Sequence, residues 1–129
     1  MDLIVGLDTN RLSDLFRGDT ELASFLETVD TVYIPLVVLA ELKAGFYSGN
    51  QANRNAGILR GFLAQPAVRV VCPGVETAEH YARIFAKLRQ AGTPVPDNDL
   101  WIAALAFEHG FALITRDRHF LSIPGLRLL

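Results

Sequence analysis

The segment Leu3-Ile4-Val5-Gly6-Leu7-Asp8-Thr9-Asn10 decides how the rest of the chain reads. Leu3–Leu7 is an almost continuous apolar run, the pattern of a strand buried on both faces and hence of a parallel sheet. Thr9-Asn10 follows as a helix start, with Leu12, Leu15 and Phe16 at helical spacing behind it. The pattern then repeats along the chain. Thr20–Val29 reads as a helix and Thr31–Ile34 as a second strand, after which Pro35 suits the first turn of a helix running to about Tyr47. Residues 48–57 are polar and rich in turn formers and read as a loop; a helix through Leu59, Phe62 and Leu63 stops before Pro66. Val68–Val71 is a third strand, Val75–Gln90 a long helix with Gly92 as its cap, and Pro96-Asp97, with Asp97 as N-cap, opens a further helix ending near Gly110. Phe111–Thr115 gives a fourth strand and Leu126–Leu129 a fifth. With no repeat and no linker, residues 1–129 read as one α/β domain around a mostly parallel sheet of four to five strands. Ligands in such folds bind beyond the carboxyl ends of the strands.

Composition agrees with a folded domain. Half of the 129 residues are apolar, mean hydropathy is +0.26 and one fifth are charged, which excludes intrinsic disorder and supplies a core. The lone Cys72 excludes an intramolecular disulfide and any cysteine-based zinc or iron–sulfur site within one chain. No apolar run reaches the ~20 residues of a membrane span, and Met1–Val5 lacks the basic start of a signal peptide. The expectation is a soluble, cytoplasmic protein. Twelve Lys and Arg face 14 Asp and Glu, a net charge of −2. Committing four carboxylates to a cation would leave ten acids against these twelve bases, a slightly basic remainder.

Four carboxylates fall where such a fold puts its ligands. Asp8 ends the first strand and Asp117 follows the fourth by one turn residue, so both project over the same edge of the sheet. Each is also a common capping or turn residue. Glu41 lies on a helix among Val37, Val38, Ala44 and Gly45, a costly place for an unpaired charge; periodicity does not separate it from Lys43, whose neighbours are equally apolar. Asp99 stands in a first helical turn, where acids are favoured by the macrodipole, and equally near the cleft above the strand ends. Acids gathered at strand ends repel one another unless a cation is present, and Mg²⁺ or Mn²⁺ suits oxygen ligands. The chemistry this suggests is metal-assisted phosphodiester hydrolysis. His80, His109 and His119 show no ligand spacing and read as surface or helix-end residues, with a minor substrate role open to His119 through its closeness to Asp117. Trp101 and the eight Phe residues read as core, and no phosphate-binding loop or dinucleotide fingerprint is present.

Four segments, in order and spanning nearly the whole chain, carry a resemblance: Leu7-Asp8-Thr9-Asn10 with Ser13, Leu39-Ala40-Glu41-Leu42 with Gly45, Asn98–Ala104, and Leu113-Ile114-Thr115-Arg116-Asp117 with Phe120. Each is weak alone, but together they resemble the PIN-domain nucleases, and more narrowly the VapC-type toxins of toxin–antitoxin pairs. The resemblance implies a three-layer α/β/α sandwich, with Asp8, Glu41, Asp99 and Asp117 as the acidic metal site and Asn10 and Thr115 in support. It implies an Mg²⁺- or Mn²⁺-dependent endoribonuclease in which metal-activated water attacks phosphorus in line, leaving 5′-phosphate and 3′-hydroxyl ends. It further implies a homodimer and a cognate antitoxin seated in an apolar groove, for which Leu12, Leu15, Phe16, Phe46 and Tyr47 are candidates beside their ordinary role as core. The sequence departs from the family pattern twice. Arg11 replaces an aliphatic residue and, with Arg116, becomes a candidate for RNA phosphate unless it is merely solvated; Val38 replaces a hydroxyl residue three positions before Glu41. Two other readings compete. An aspartyl-phosphate phosphatase would want an acid where Asn10 stands, and a non-catalytic PIN-like binding module would not need its acids intact.

Overall fold

The computed structural model describes residues 2–129, so Met1, the first residue of the Met1–Val5 stretch, lies outside the described residues. Four strands form one parallel sheet in the order β3-β2-β1-β4, with β1 Ile4–Leu7, β2 Thr31–Pro35, β3 Val68–Val71 and β4 Ala112–Ile114. β1 buries three consecutive residues and β4 all three of its own, so side chains on both sides of the sheet are covered. That double burial makes the α/β/α sandwich: Val5, Leu7, Ile34, Leu113 and their neighbours meet helices above and below. The helices are α1 Thr9–Phe16, α2 Thr20–Leu26, α3 Leu36–Ser48, α4 Ala52–Leu63, α5 Val75–Ala91 and α6 Asp97–His109. None is long and apolar enough to cross a membrane among the described residues.

The strand order matters for function. From β1 the chain steps outward to β2 and β3, then returns to place β4 on the other flank of β1. The crevice between β1 and β4 is therefore the topological switch point, where strand ends diverge and a ligand fits. Leu7 pairs with Ile114, which sets Asp8 level with Thr115 just past the sheet. Close packing underneath requires Gly6: a Cβ there would lie 2.3 Å from the Phe111 ring, itself buried and stacked on Tyr33 at 5.4 Å.

Several boundaries differ from the sequence reading. Residues 52–57, expected within a loop, form the first half of α4. Its polar composition hides a helical stripe of Ala52, Ala56, Leu59 and Leu63, which packs towards Phe46. Only a short turn separates α3 from α4. The fifth strand shrinks to a single bridge, Leu113 to Leu128, because the Pro124-Gly125 turn, with Gly125 at φ +79°, brings the chain alongside β4 only at its last residues. Asp97 is the first helical residue of α6 and Pro96 the N-cap; the Asp97 carboxylate instead accepts the Tyr81 hydroxyl. A 3₁₀ turn over Arg118–Ser122 follows β4, pinned by buried Phe120.

Candidate active site

Asp8 is both cap and site residue. It is the N-cap of α1, where one carboxylate oxygen, Oδ1, accepts the Arg11 N–H at 2.9 Å. The other, Oδ2, accepts the Thr115 hydroxyl. With 4% exposure it is one of two buried polar residues among the described residues, and burial raises its pKa, a rise opposed by these two bonds and reinforced by the charge of Asp117. Thr115 ties the next acid to the first: its oxygen also accepts the Asp117 N–H at 2.9 Å. One hydroxyl thus spans the switch point, linking residues 107 positions apart.

Asp117 caps the 3₁₀ turn, accepting the His119 N–H at 2.9 Å. Asp99, in the first turn of α6, faces it across the crevice; its side chain is 15% exposed. Burial, with the charges of Asp117 and Glu41 added, lifts the Asp99 pKa to about 6 against the opposing pull of His119. Glu41, from the middle of α3, is exposed and accepts the Thr9 hydroxyl at 2.8 Å. Asp117 thus acts on both Asp8 and Asp99, and Glu41 on Asp99, while only Asp99, Asp117 and His119, among the described residues, bring ligand atoms within 4.8 Å of one another. Neither Glu41 nor Lys43 points inward: both are exposed, and Glu41 is set apart by its hydroxyl partner and its influence on Asp99.

The supporting residues differ in part from expectation. Thr115 stands where it was placed, but Asn10 is exposed and makes no side-chain hydrogen bond among the described residues. Its place is taken by Thr9, whose hydroxyl points back to Glu41 from the first residue of α1 while Asn10 turns outward. Arg11 is neither free at the mouth nor merely solvated. It is half-buried and paired with Asp14 at 2.9 Å and Asp19 at 3.4 Å, because the first turn of α1 and the N-cap of α2 converge there. Arg116 shares Asp14 from the other side and remains mostly exposed. His119 is the residue the spacing rule missed: its ring nitrogen lies 3.0 Å from Asp117 and 3.3 Å from Asp99. The tight 3₁₀ turn brings a residue two positions past an acid back over that acid, and helical or strand periodicity does not anticipate this.

Beyond Glu41 a polar cleft of about 540 Å³ is lined by Ser13, Arg17, Arg54 and Asn55. A separate apolar cleft runs between α1, α2 and α4 past Leu15, Phe16, Leu26 and Phe62. Of the other groove candidates, Leu12 is fully buried core, Phe46 borders the polar cleft and Tyr47 projects into solvent. Val38 is buried and adds no polar group.

The profile of the PIN domain family matches residues 5–126. The chain belongs to the PIN-domain family, on its VapC branch. It is similar to the plasmid stability protein StbB of Pseudomonas syringae pv. tomato, 31% identical over 95% of this chain and 94% of that protein. Ribonuclease VapC4 of Mycobacterium tuberculosis is 34% identical over 74% of each chain. Among solved structures, VapBC2 from Rickettsia felis, bound to a DNA fragment from their promoter, superposes with a TM-score of 0.88 at 27% identity, covering 98% of both chains. PIN nucleases in general depend on divalent metal, and this PIN domain gathers Asp99, Asp117 and His119 closely enough for one atom of each to reach a single ion.

Proposed function

We propose that this VapC-branch PIN domain is an endoribonuclease, the toxin of a toxin–antitoxin pair, dependent on Mg²⁺ or Mn²⁺. The observation that supports it most is the grouping of Asp99, Asp117 and His119, with Asp8 tied to Asp117 through Thr115 and Glu41 within electrostatic reach of Asp99. A group of acids whose burial and mutual repulsion hold one member near pKa 6 is a site suited to a cation. The donors are carboxylate oxygens, the set that hard divalent ions take, so the residues fit the ion. Asp8, Glu41, Asp99 and Asp117 would hold it. When bound, such an ion supplies charge stabilisation at a phosphate and eases deprotonation of water.

The chain's own residues do the rest. Thr115 sets Asp8 and Asp117 in register, and Thr9 orients Glu41 over the opening. Arg116, exposed at the rim, and Arg17 and Arg54 in the cleft beyond Glu41 offer cations to successive phosphates of a single strand. Ends bearing 5′-phosphate and 3′-hydroxyl follow if water, not the 2′-hydroxyl, attacks. A cognate antitoxin and a second copy of the chain complete the assembly; the relatives solved as VapBC complexes support the first of these. We take residues 1–129 as one nuclease domain working in the cytoplasm, where exposed Cys72 stays reduced.

The test is to induce wild type and Asp8→Asn side by side in a bacterial host and map all new RNA 5′-phosphate ends. New ends with the wild type alone are expected, and they identify the substrate. The same map from both proteins, each soluble and free of antitoxin, would overturn the reading in favour of a non-catalytic binding module.

A further inference from the structure

We infer that His119 is a metal ligand of this site, a nitrogen donor that turns an all-oxygen set into a mixed one and shifts the preferred ion from Mg²⁺ towards Mn²⁺. The inference rests on the proposed metal site and goes beyond its four acids. The geometry carries it. The His119 Nδ1 stands 3.0 Å from Asp117 Oδ1 and 3.3 Å from Asp99 Oδ2. Ligands at about 2.1 Å from an octahedral ion lie about 3.0 Å apart when adjacent. Asp99, Asp117 and His119 each present an atom within 4.8 Å of the other two, the spacing of three donors on one coordination sphere.

The ring is also placed rather than loose. Its own N–H is held by Asp117, and the next residue, Phe120, is 1% exposed in the core. The backbone is thus fixed on both sides, and the side chain, half exposed, leans over the acids rather than into solvent. Imidazole is a borderline donor that favours first-row transition ions, whereas carboxylates alone suit Mg²⁺ equally well. A single nitrogen added to this set therefore bears on which ion is held, not on whether acids are present to hold one.

The experiment is divalent-ion binding by calorimetry on the antitoxin-free full chain at pH 7.5, using Mn²⁺ and Mg²⁺ separately, for wild type, His119→Ala and His119→Gln. Pulsed electron paramagnetic resonance of the Mn²⁺-loaded proteins runs alongside. Both variants keep the backbone bond to Asp117, and a melting curve checks folding. Expected are ¹⁴N modulation in the wild type that vanishes in both variants, about a tenfold loss of Mn²⁺ affinity and a smaller loss for Mg²⁺. Absence of nitrogen coupling in a wild type that binds Mn²⁺ would overturn the inference and leave the acid site standing. Tighter binding of both ions by His119→Ala would also overturn it, marking the ring as an internal counter-cation. A wild type that binds neither ion would overturn the metal site itself, and the inference with it.

Discussion

Replacing Thr115 with valine deletes one hydroxyl and keeps the shape of the side chain. That hydroxyl donates to the Asp8 carboxylate and accepts the Asp117 N–H, so the change orphans two groups at once. A hydrogen bond to a charged group contributes about 1.5–3 kcal/mol and an ordinary one about 0.5–1.5 kcal/mol, giving a loss of about 2–4.5 kcal/mol. Asp8 has no exposed route to water that would soften it, being 4% exposed with its pKa already raised by burial. The assay is urea unfolding in EDTA at pH 8 on wild type, Thr115→Val and Thr115→Ser. Serine keeps both bonds and loses one methyl, a cost of about 1 kcal/mol. Valine is expected to cost at least twice as much as serine, and to lose most of the difference at a pH low enough to protonate Asp8. Equal midpoints for valine and serine would refute the idea that this hydroxyl holds the two acids.

Three further outcomes follow from the same site. Asp99→Asn removes the charge that burial and its acidic neighbours disfavour, so RNA cleavage should fall at least about 100-fold while metal-free stability rises. The difference between 3.8 and about 6, at about 1.4 kcal/mol per pH unit, bounds the gain at about 3 kcal/mol, read from melts in EDTA. Because the folded-state pKa of Asp99 is raised, its favourable contribution is present below about pH 4 and lost as pH climbs to 6. Metal-free melting temperature should therefore decline over that window, and Mn²⁺ affinity measured by calorimetry should fall about tenfold per pH unit below 6. Arg116→Ala should change the melting temperature little, its pair with Asp14 being largely exposed on the arginine side, yet reduce the salt dependence of RNA binding to an Asp8→Asn background by about 0.7–1 in slope.

The alternation of strands and helices was legible because unbroken apolar runs are a local pattern, and Asp8 and Asp117 drew notice as acids at strand ends, whereas Glu41 and Asp99, on α3 and α6, joined them as site residues only through the family resemblance. Leu3–Leu7 announces a buried parallel strand, and β1 obeys it. What escaped was set by packing or by tight turns. The first half of α4 looks like loop because Asn53, Asn55 and Gly57 dominate its composition, although Ala52, Ala56 and Leu59 share a face. Thr9 and Asn10 are adjacent polar residues at one helix start, and only the direction of the first turn decides which of them reaches Glu41. Arg11 carries a charge that invites a substrate role, but Asp14 and Asp19, one on each side of a turn, claim it. His119 required the 3₁₀ turn, a feature with no hydrophobic period to betray it.

The bond between Thr115 and Asp8 also has a meaning in time. Its two ends are 107 residues apart, and Asp117 lies two residues later still. A ribosome adding about 5–20 residues per second spends several seconds between making the first acid and making the last. Throughout that interval the emerging chain carries Asp8 and Glu41 without the strand that brings Asp117 and Thr115 beside them. The acids of the proposed site are thus not brought together on the nascent chain until β4 has been made.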